Sequence, residues 1–419
     1  MIIDQRLKRA FEQKPFSIGL GLRNQFSKLE LTSAETGAFL LFGTFVLATY
    51  FLHGALAITL VTICFLTAWT VIVLDLREGT LPMIRLGWPA LLFFGFATIR
   101  LAIPPYGDIN AVPGTAVTRM LLIAGLYGLV LVCYARIEFK KILWILSIAA
   151  FCSTAIALAW HAHQHSFADR LHFIGRSSNE ILGAGGLVAG LAASIALLAH
   201  GVQKWLRAAL AVMVVIELLA VYLSGSRGPM IALLLALAAA ALLARRDSWK
   251  ALYAAGLLAW TIVTLFVLLE GPIREWFCPV IALACRVSQR HDVWNASLTL
   301  ITEHPLLGVG YGFRFPAVPH AHNGYVGLAL HYGVLVLISF LVFLATCARD
   351  TMGLRVPTEK LYVIIMFVFA NGFMGSDLSD PLRFFNTHYL FLWLPIFLAM
   401  VGKKSSLARA IESRQGANE

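Results

Sequence analysis

Residues 204–246 read KWLRAALAVMVVIELLAVYLSGSRGPMIALLLALAAAALLARR. Two apolar runs, 204–223 and 229–244, flank a polar turn at 224–228. Each run approaches the roughly 20 residues that a helix needs to cross the hydrocarbon core of a bilayer. Inside lipid the backbone must satisfy its own polar groups, so such runs are helical. Lys204, Arg207, Arg245 and Arg246 gather at the open ends of this hairpin, and a single arginine, Arg227, marks its tip. The stretch predicts a helical hairpin in a membrane and raises the question of what Arg227 does there.

The rest of the chain extends the pattern. Of its 419 residues 59% are hydrophobic and 13% charged, against about 25% charge in a soluble globular chain. Further apolar runs lie at 36–53, 55–74, 86–103, 116–134, 141–160, 180–200, 249–269, 322–346, 359–376 and 387–402. The expected fold is an all-α polytopic membrane protein with about 12 transmembrane helices. The first 20 residues are basic but lack the apolar core and small-residue cleavage site of a signal peptide. They suit an amphipathic segment on an anionic membrane face. The net charge of +11 is assigned to such faces, and no nucleic-acid partner is expected. Membrane lipids are expected neighbours.

An even number of spans puts both termini on one side, and basic residues mark the cytoplasmic side. With the termini inside, all ten lysines fall on the cytoplasmic face. The basic residues left on the outer face are ten arginines: 100, 119, 170, 176, 227, 274, 286, 290, 314 and 383. Topology alone does not separate lysine from arginine. Phosphate recognition does, because the planar guanidinium offers two parallel hydrogen bonds and keeps its charge.

Three of these arginines sit in local patterns suited to an anion. Arg227 stands among Ser224, Gly225, Ser226 and Gly228, whose backbone amides face a helix start. Arg176, in HFIGRSSNEILGAGG (172–186), precedes a helix capped by Ser177, Ser178 or Asn179. Capping does not explain the arginine, since a cation disfavours a helix start. Arg290 opens a short amphipathic helix near 291–301, and a salt bridge to Asp292 is its simplest structural role. Arg100, Arg119 and Arg383 lie at outer helix ends, where phosphorylated acceptors or lipid head groups would meet them.

The stretch AVPHAHNGYVGLALHYG (317–333) adds His320, His322 and Asn323 at the mouth of the tenth run. An imidazole has an unperturbed pKa near 6.5, and a helix start with arginines nearby favours its neutral form. Neutral His322 would accept a proton from an attacking hydroxyl; Asn323 would position a sugar hydroxyl or a water. A rival pattern is HAHQH, where His161, His163 and His165 would share a face in an extended segment and recruit zinc. No carboxylate or cysteine ligand stands beside them, and neither metal nor other cofactor is expected. Cys278 and Cys285 are about 10 Å apart in a straight helix, so a disulfide between them requires a turn at Pro279. Glu217 is an acid inside the seventh run, a functional suspect by its position.

Four segments in order, GRSSNE (175–180), LSGSRGPM (223–230), RHDVWNASLTLITEHPLLGVGYG (290–312) and HAHNGYVGLALHYG (320–333), resemble the O-antigen ligase and O-antigen polymerase superfamily of bacterial inner membranes. The ligase pattern of His, then Asn, Ser or Gln, then nine residues and Gly fits His322, Asn323 and Gly333; the next position, Gly, Thr or Tyr in such ligases, is Val336 here. The resemblance implies a GT-C-like glycosyltransferase, inverting and metal-independent. It would move glycan from undecaprenyl pyrophosphate to lipid A–core at the periplasmic face. It implies His322 as base, with Arg176, Arg227 and Arg290 on the donor pyrophosphate. The implied organisation is a cytoplasmic segment 1–35, transmembrane helices one to nine over 36–269, a periplasmic loop 270–321, helices ten to twelve over 322–402, and a cytoplasmic tail 403–419. A polymerase with the same donor is the near alternative. A transporter or flippase of an anionic lipid is the distant one, although transporters concentrate charge near the bilayer midplane.

Overall fold

The computed structural model describes residues 33–78, 87–103, 113–164, 169–200, 202–245, 247–269, 290–315, 320–382 and 385–403. Cys278, Cys285, Arg383 and His165 lie outside the described residues, as do most of the N-terminal segment, the tail and residues 270–289 of the large loop.

The described chain is helical throughout, without strands. The helices are α1 (Ser33–Phe51), α2 (Gly54–Glu78), α3 (Trp88–Ala102), α4 (Pro113–Arg136) and α5 (Phe139–Gln164). A single 3-10 turn, Gly175–Ser177, leads into α6 (Glu180–Ala199), followed by α7 (Lys204–Leu223), α8 (Arg227–Leu243) and α9 (Trp249–Leu268). Then come α10 (Arg290–Glu303), α11 (Gly324–Tyr332), α12 (Val334–Met352), α13 (Pro357–Met374) and α14 (Tyr389–Lys403), whose first turn is π-helical. Eight of the described helices are long and apolar enough to cross a membrane, and α3, α8 and α14 are shorter apolar helices.

Burial follows composition. The side chains of α13 are buried over nearly its whole length, as expected of a helix that is apolar all round and sits at the centre of a bundle. It packs against α8, α9 and α6. By contrast α2 and α7 turn Leu66, Val215 and Leu219 outward; in a chain of this hydropathy, lipid is the solvent that tolerates them.

The two ends of the bundle carry different cations. One end joins Lys141 to Glu35 (2.5 Å), Lys403 to Asp350 (2.6 Å), Lys360 to Asp247 and Arg136 to Asp75. Asp247 is fully exposed, and its pairing with Lys360 lowers its carboxyl pKa from the ordinary value. The other end pairs only arginine among its described Lys–Arg ion pairs: Arg290 with Asp377, and Arg170 with Glu180 at 3.8 Å.

Three expectations change. The run 322–346 is not one helix. It breaks at Gly333 (φ 90°, ψ 166°) into α11 and α12. There the chain crosses the 304–309 loop so closely that a Cβ on Gly333 would overlap the Leu306 carbonyl. Gly333→Ala is therefore expected to cost at least about 2 kcal/mol, from a backbone region closed to L-residues and the overlap together. A thermal melt in detergent would read the loss; an unchanged midpoint would mean that the crossing is looser than described. Second, HAHQH is not extended. Helix α5 runs through Gln164, so His161 and His163 project to different sides, the first buried and the second exposed. Third, Arg227 is not mid-turn but the first residue of α8. Glu217 is fully buried on α7, with Ser194 and Tyr50 as polar neighbours.

Candidate active site

The turn at 375–377, following α13, is where the site's parts meet. Gly375 accepts a hydrogen bond from the Asn323 carboxamide at 3.3 Å. Asp377 holds Arg290 through one carboxylate oxygen and accepts from the Ser376 hydroxyl at 2.5 Å through the other. Both side chains lie against Gly228, where a Cβ would overlap them. The Asp377 carboxylate thus stands at the start of α8, next to Arg227, where unpaired amides and the helix dipole favour an anion. Arg290 and the first turn of α8, which begins at Arg227, are brought to the same few atoms from distant parts of the sequence.

His322 immediately precedes Asn323. It is half-buried, and its φ of 51° makes it the only described non-glycine residue with a positive φ. Its ring stands perpendicular to that of His320 at 4.0 Å. Asn323 differs from expectation. It is fully buried, and its oxygen caps α11 by accepting from Tyr325 N and Val326 N, both at 3.2 Å. A carboxamide so engaged orients the chain at His322.

Arg176 reaches the same 375–388 segment farther along. It donates to the Phe385 carbonyl and lies 5.8 Å from that ring's centroid. Its Nε is buried and has no hydrogen-bond acceptor among the described residues. Burial also lowers its pKa from the ordinary value. A cation stripped of water with a donor to spare is stabilised by an arriving anion. The adjoining helix is capped as the sequence suggests, by Asn179, whose oxygen accepts from Ile181 N and Leu182 N.

Two of the expected outer arginines sit elsewhere. Arg100 is buried and donates to the carbonyls of Leu307 and Ile103 (2.7 Å to the latter), which ties α3 to the 304–309 loop. The Arg119 guanidinium lies 4.2 Å from the Tyr311 ring centroid, a cation–π arrangement. The 304–309 loop is stitched to the far end of α11 by Val309 N on Leu330 O, about 12 Å along the helix from His322.

Residues that the sequence pattern did not single out complete the arrangement. Arg170 donates to the Ser224 carbonyl and the Ser226 hydroxyl, both at 2.8 Å, strapping the 169–173 stretch across the turn before Arg227. Asp380 accepts from the Tyr332 hydroxyl at 3.2 Å and from Leu382 N at 2.7 Å. The signal was GSDLSDP (375–381), two acids and two serines in a short outer segment of a chain with little charge. No group of three metal-binding side chains occurs among the described residues.

The turn at 375–377 thus gathers Asn323, Arg290 and the start of α8 at the end of the bundle opposite the lysine pairs. No curated protein matches the chain. Residues 209–341, which hold Arg227, Arg290, His322 and Asn323, match the family model described as O-antigen ligase.

Proposed function

We propose that the chain transfers a glycan from undecaprenyl pyrophosphate to a sugar hydroxyl of lipid A–core, inverting the transferred anomeric carbon. The observation that carries this reading is the meeting of the α8 start, Arg290 and the His322–Asn323 turn on residues 375–377. In the reaction the acceptor oxygen attacks the anomeric carbon. The bond from that carbon to the diphosphate breaks, its electron pair passing to the leaving oxygen. His322 takes the hydroxyl proton. Charge then builds on the diphosphate, and Arg176, Arg227 and Arg290 stabilise it as it forms. Elsewhere a magnesium ion does that work. Arg290 need not leave Asp377 to take part, because a guanidinium carries five N–H donors.

In this reading the chain spans a bacterial inner membrane about twelve times in a GT-C-like arrangement, with cytoplasmic termini and a periplasmic site. The segregation of lysine pairs to the far end supports that orientation. Val336, where ligases of this kind carry Gly, Thr or Tyr, is buried on α12 and so serves packing.

The test is transfer by purified protein in detergent with a defined carrier-linked donor and lipid A–core. Glycan on the core supports a ligase. Unmodified core with lengthening carrier-linked glycan makes it a polymerase. Carrier translocation in vesicles without transfer makes it a transporter. Since arginines neutralise the leaving group, EDTA is expected to leave the rate unchanged. Inhibition by EDTA that zinc reverses would return the histidines to a metal-binding role.

A further inference from the structure

A cleft of about 480 Å³ opens between α1, α2 and α4. It lies at the end of the bundle that carries the lysine pairs, opposite the candidate site: Ala34 lines it, next to the Glu35 that holds Lys141. Leu40 and Thr44 of α1, Thr67 and Val71 of α2 and Val132 of α4 form its walls, and Arg136 closes it at the last residue of α4. Leu40 is 61% exposed at its mouth, so the cleft opens sideways to the bilayer. From Ala34 to Thr44 it follows α1 for ten residues, about 15 Å of helix. That is half of the roughly 30 Å hydrocarbon core, the depth of one leaflet.

Two features set this cleft apart from an ordinary lipid-facing furrow. Gly37 lines it, and a Cβ there would meet no atom within 4 Å. Glycine weakens a helix relative to alanine, so a glycine in front of empty space keeps room open without serving a close helix contact. The second feature is Arg136. Its Nη2 pairs with Asp75, while its Nη1 is buried and has no hydrogen-bond acceptor among the described residues. A buried donor without an acceptor is costly, above all on a charged group. A small rotation of this flexible side chain turns Nη1 into the cleft and leaves Nη2 on Asp75. Little else in the cleft is polar, and the Thr67 hydroxyl is taken by the Ile63 carbonyl at 2.9 Å. Around its mouth Asp75 and Glu35 are spent on Arg136 and Lys141. Arg77 and Lys140 are exposed there against one described exposed acid, Glu138.

We propose that the cleft binds one anionic glycerophospholipid, an acyl chain lying along α1 and the phosphate on Arg136. Guanidinium groups suit phosphate oxygens, and the surplus of exposed cations favours a head group without an ammonium. In the orientation proposed above this is a lipid of the cytoplasmic leaflet; the site itself rests on the helix packing and not on the glycan chemistry. The small residues Ala34, Gly37 and Ala38 would also admit a helix of a second copy. The phospholipid is preferred because a phosphate satisfies Arg136 Nη1 and an apolar helix does not.

The experiment titrates the purified chain, stripped of lipid in detergent, with palmitoyl-oleoyl phosphatidylglycerol or phosphatidylethanolamine and counts bound lipids by native mass spectrometry. One phosphatidylglycerol is expected to bind saturably, at least tenfold more tightly than phosphatidylethanolamine. Gly37→Leu fills the cleft and should weaken that binding at least tenfold. Arg136→Lys keeps a cation on Asp75 but loses the fork, and should bring phosphatidylglycerol down to the affinity of phosphatidylethanolamine. Phosphatidylglycerol should also raise the melting temperature of the wild type and leave that of Gly37→Leu unchanged. Equal affinity for the two lipids in the wild type, or undiminished binding by Gly37→Leu, would overturn the inference. So would a dimer that Gly37→Leu dissociates, which gives the cleft to a second copy. If Gly37→Leu does not fold, Arg136→Lys decides alone: undiminished preference for phosphatidylglycerol refutes the site. None of these readouts needs glycan transfer. Loss of the lipid site leaves the reading of the opposite end standing, and absence of transfer leaves the lipid site standing.

Discussion

His322→Ala is expected to fold normally and to lose at least about a hundredfold in the rate of glycan transfer, the ordinary contribution of a positioned general base. The reason lies in how the imidazole is held. His322 occupies the left-handed region, which costs a non-glycine residue of order 1–3 kcal/mol and persists only where the surroundings over-determine it. Here they do: the next residue is locked by the α11 cap and by the Gly375 carbonyl. A side chain fixed in this way is pre-organised for proton transfer. His322→Asn is the companion variant, because asparagine tolerates this backbone region but offers no base. It should melt at the wild-type temperature and be as inactive as the alanine variant. Initial rates with saturating donor and acceptor read the effect. A rate within tenfold of wild type in either variant would take the base role from His322.

Arg227→Lys is the second large expectation: a loss of roughly 10- to 100-fold, on about 1.5–3 kcal/mol for a charge-assisted hydrogen bond that an ammonium does not reproduce. The charge is kept, so the variant isolates the fork. Stability should not change, because either side chain puts a cation on the same turn. A cation on the first turn of a helix opposes the dipole, and Arg227 is the first residue of α8. A substitution that leaves the melting temperature intact while lowering transfer would separate function from folding. Full activity in the lysine variant would mean that a point charge suffices.

The fold was largely legible, because membrane helices announce themselves through run length and the position of lysine. Described helices lie near the predicted runs, and eight of them are long and apolar enough to cross a membrane. The break at Gly333 was hidden, since GLALHYGVLVL (327–337) reads as continuous apolar sequence; the close crossing of the 304–309 loop, a long-range contact, imposes it. The arginines and His322 were visible as chemically odd residues at helix mouths. Asp377, the partner of Arg290, was not, because pairing between positions 290 and 377 leaves no trace in local pattern. Asn323 shows the reverse error. Expected to position a sugar hydroxyl or a water, it lies buried one residue before α11 and caps that helix.

The break at Gly333 exposes backbone groups deep in the protein, and the 304–309 loop meets them: Val334 N donates to Pro305 O at 2.8 Å, and Val309 N to Leu330 O at 2.7 Å. Pulling that loop away would strand buried amides at about 1–3 kcal/mol each. The loop continues directly from α10, so the segment carrying Arg290 and the helix following His322 are welded into one body. The spacing between Arg290 and the start of α11 is then built into the fold. The opposite wall holds its arginines by separate contacts, Arg290 by the Asp377 side chain and Arg176 by the Phe385 carbonyl, which can be released one at a time.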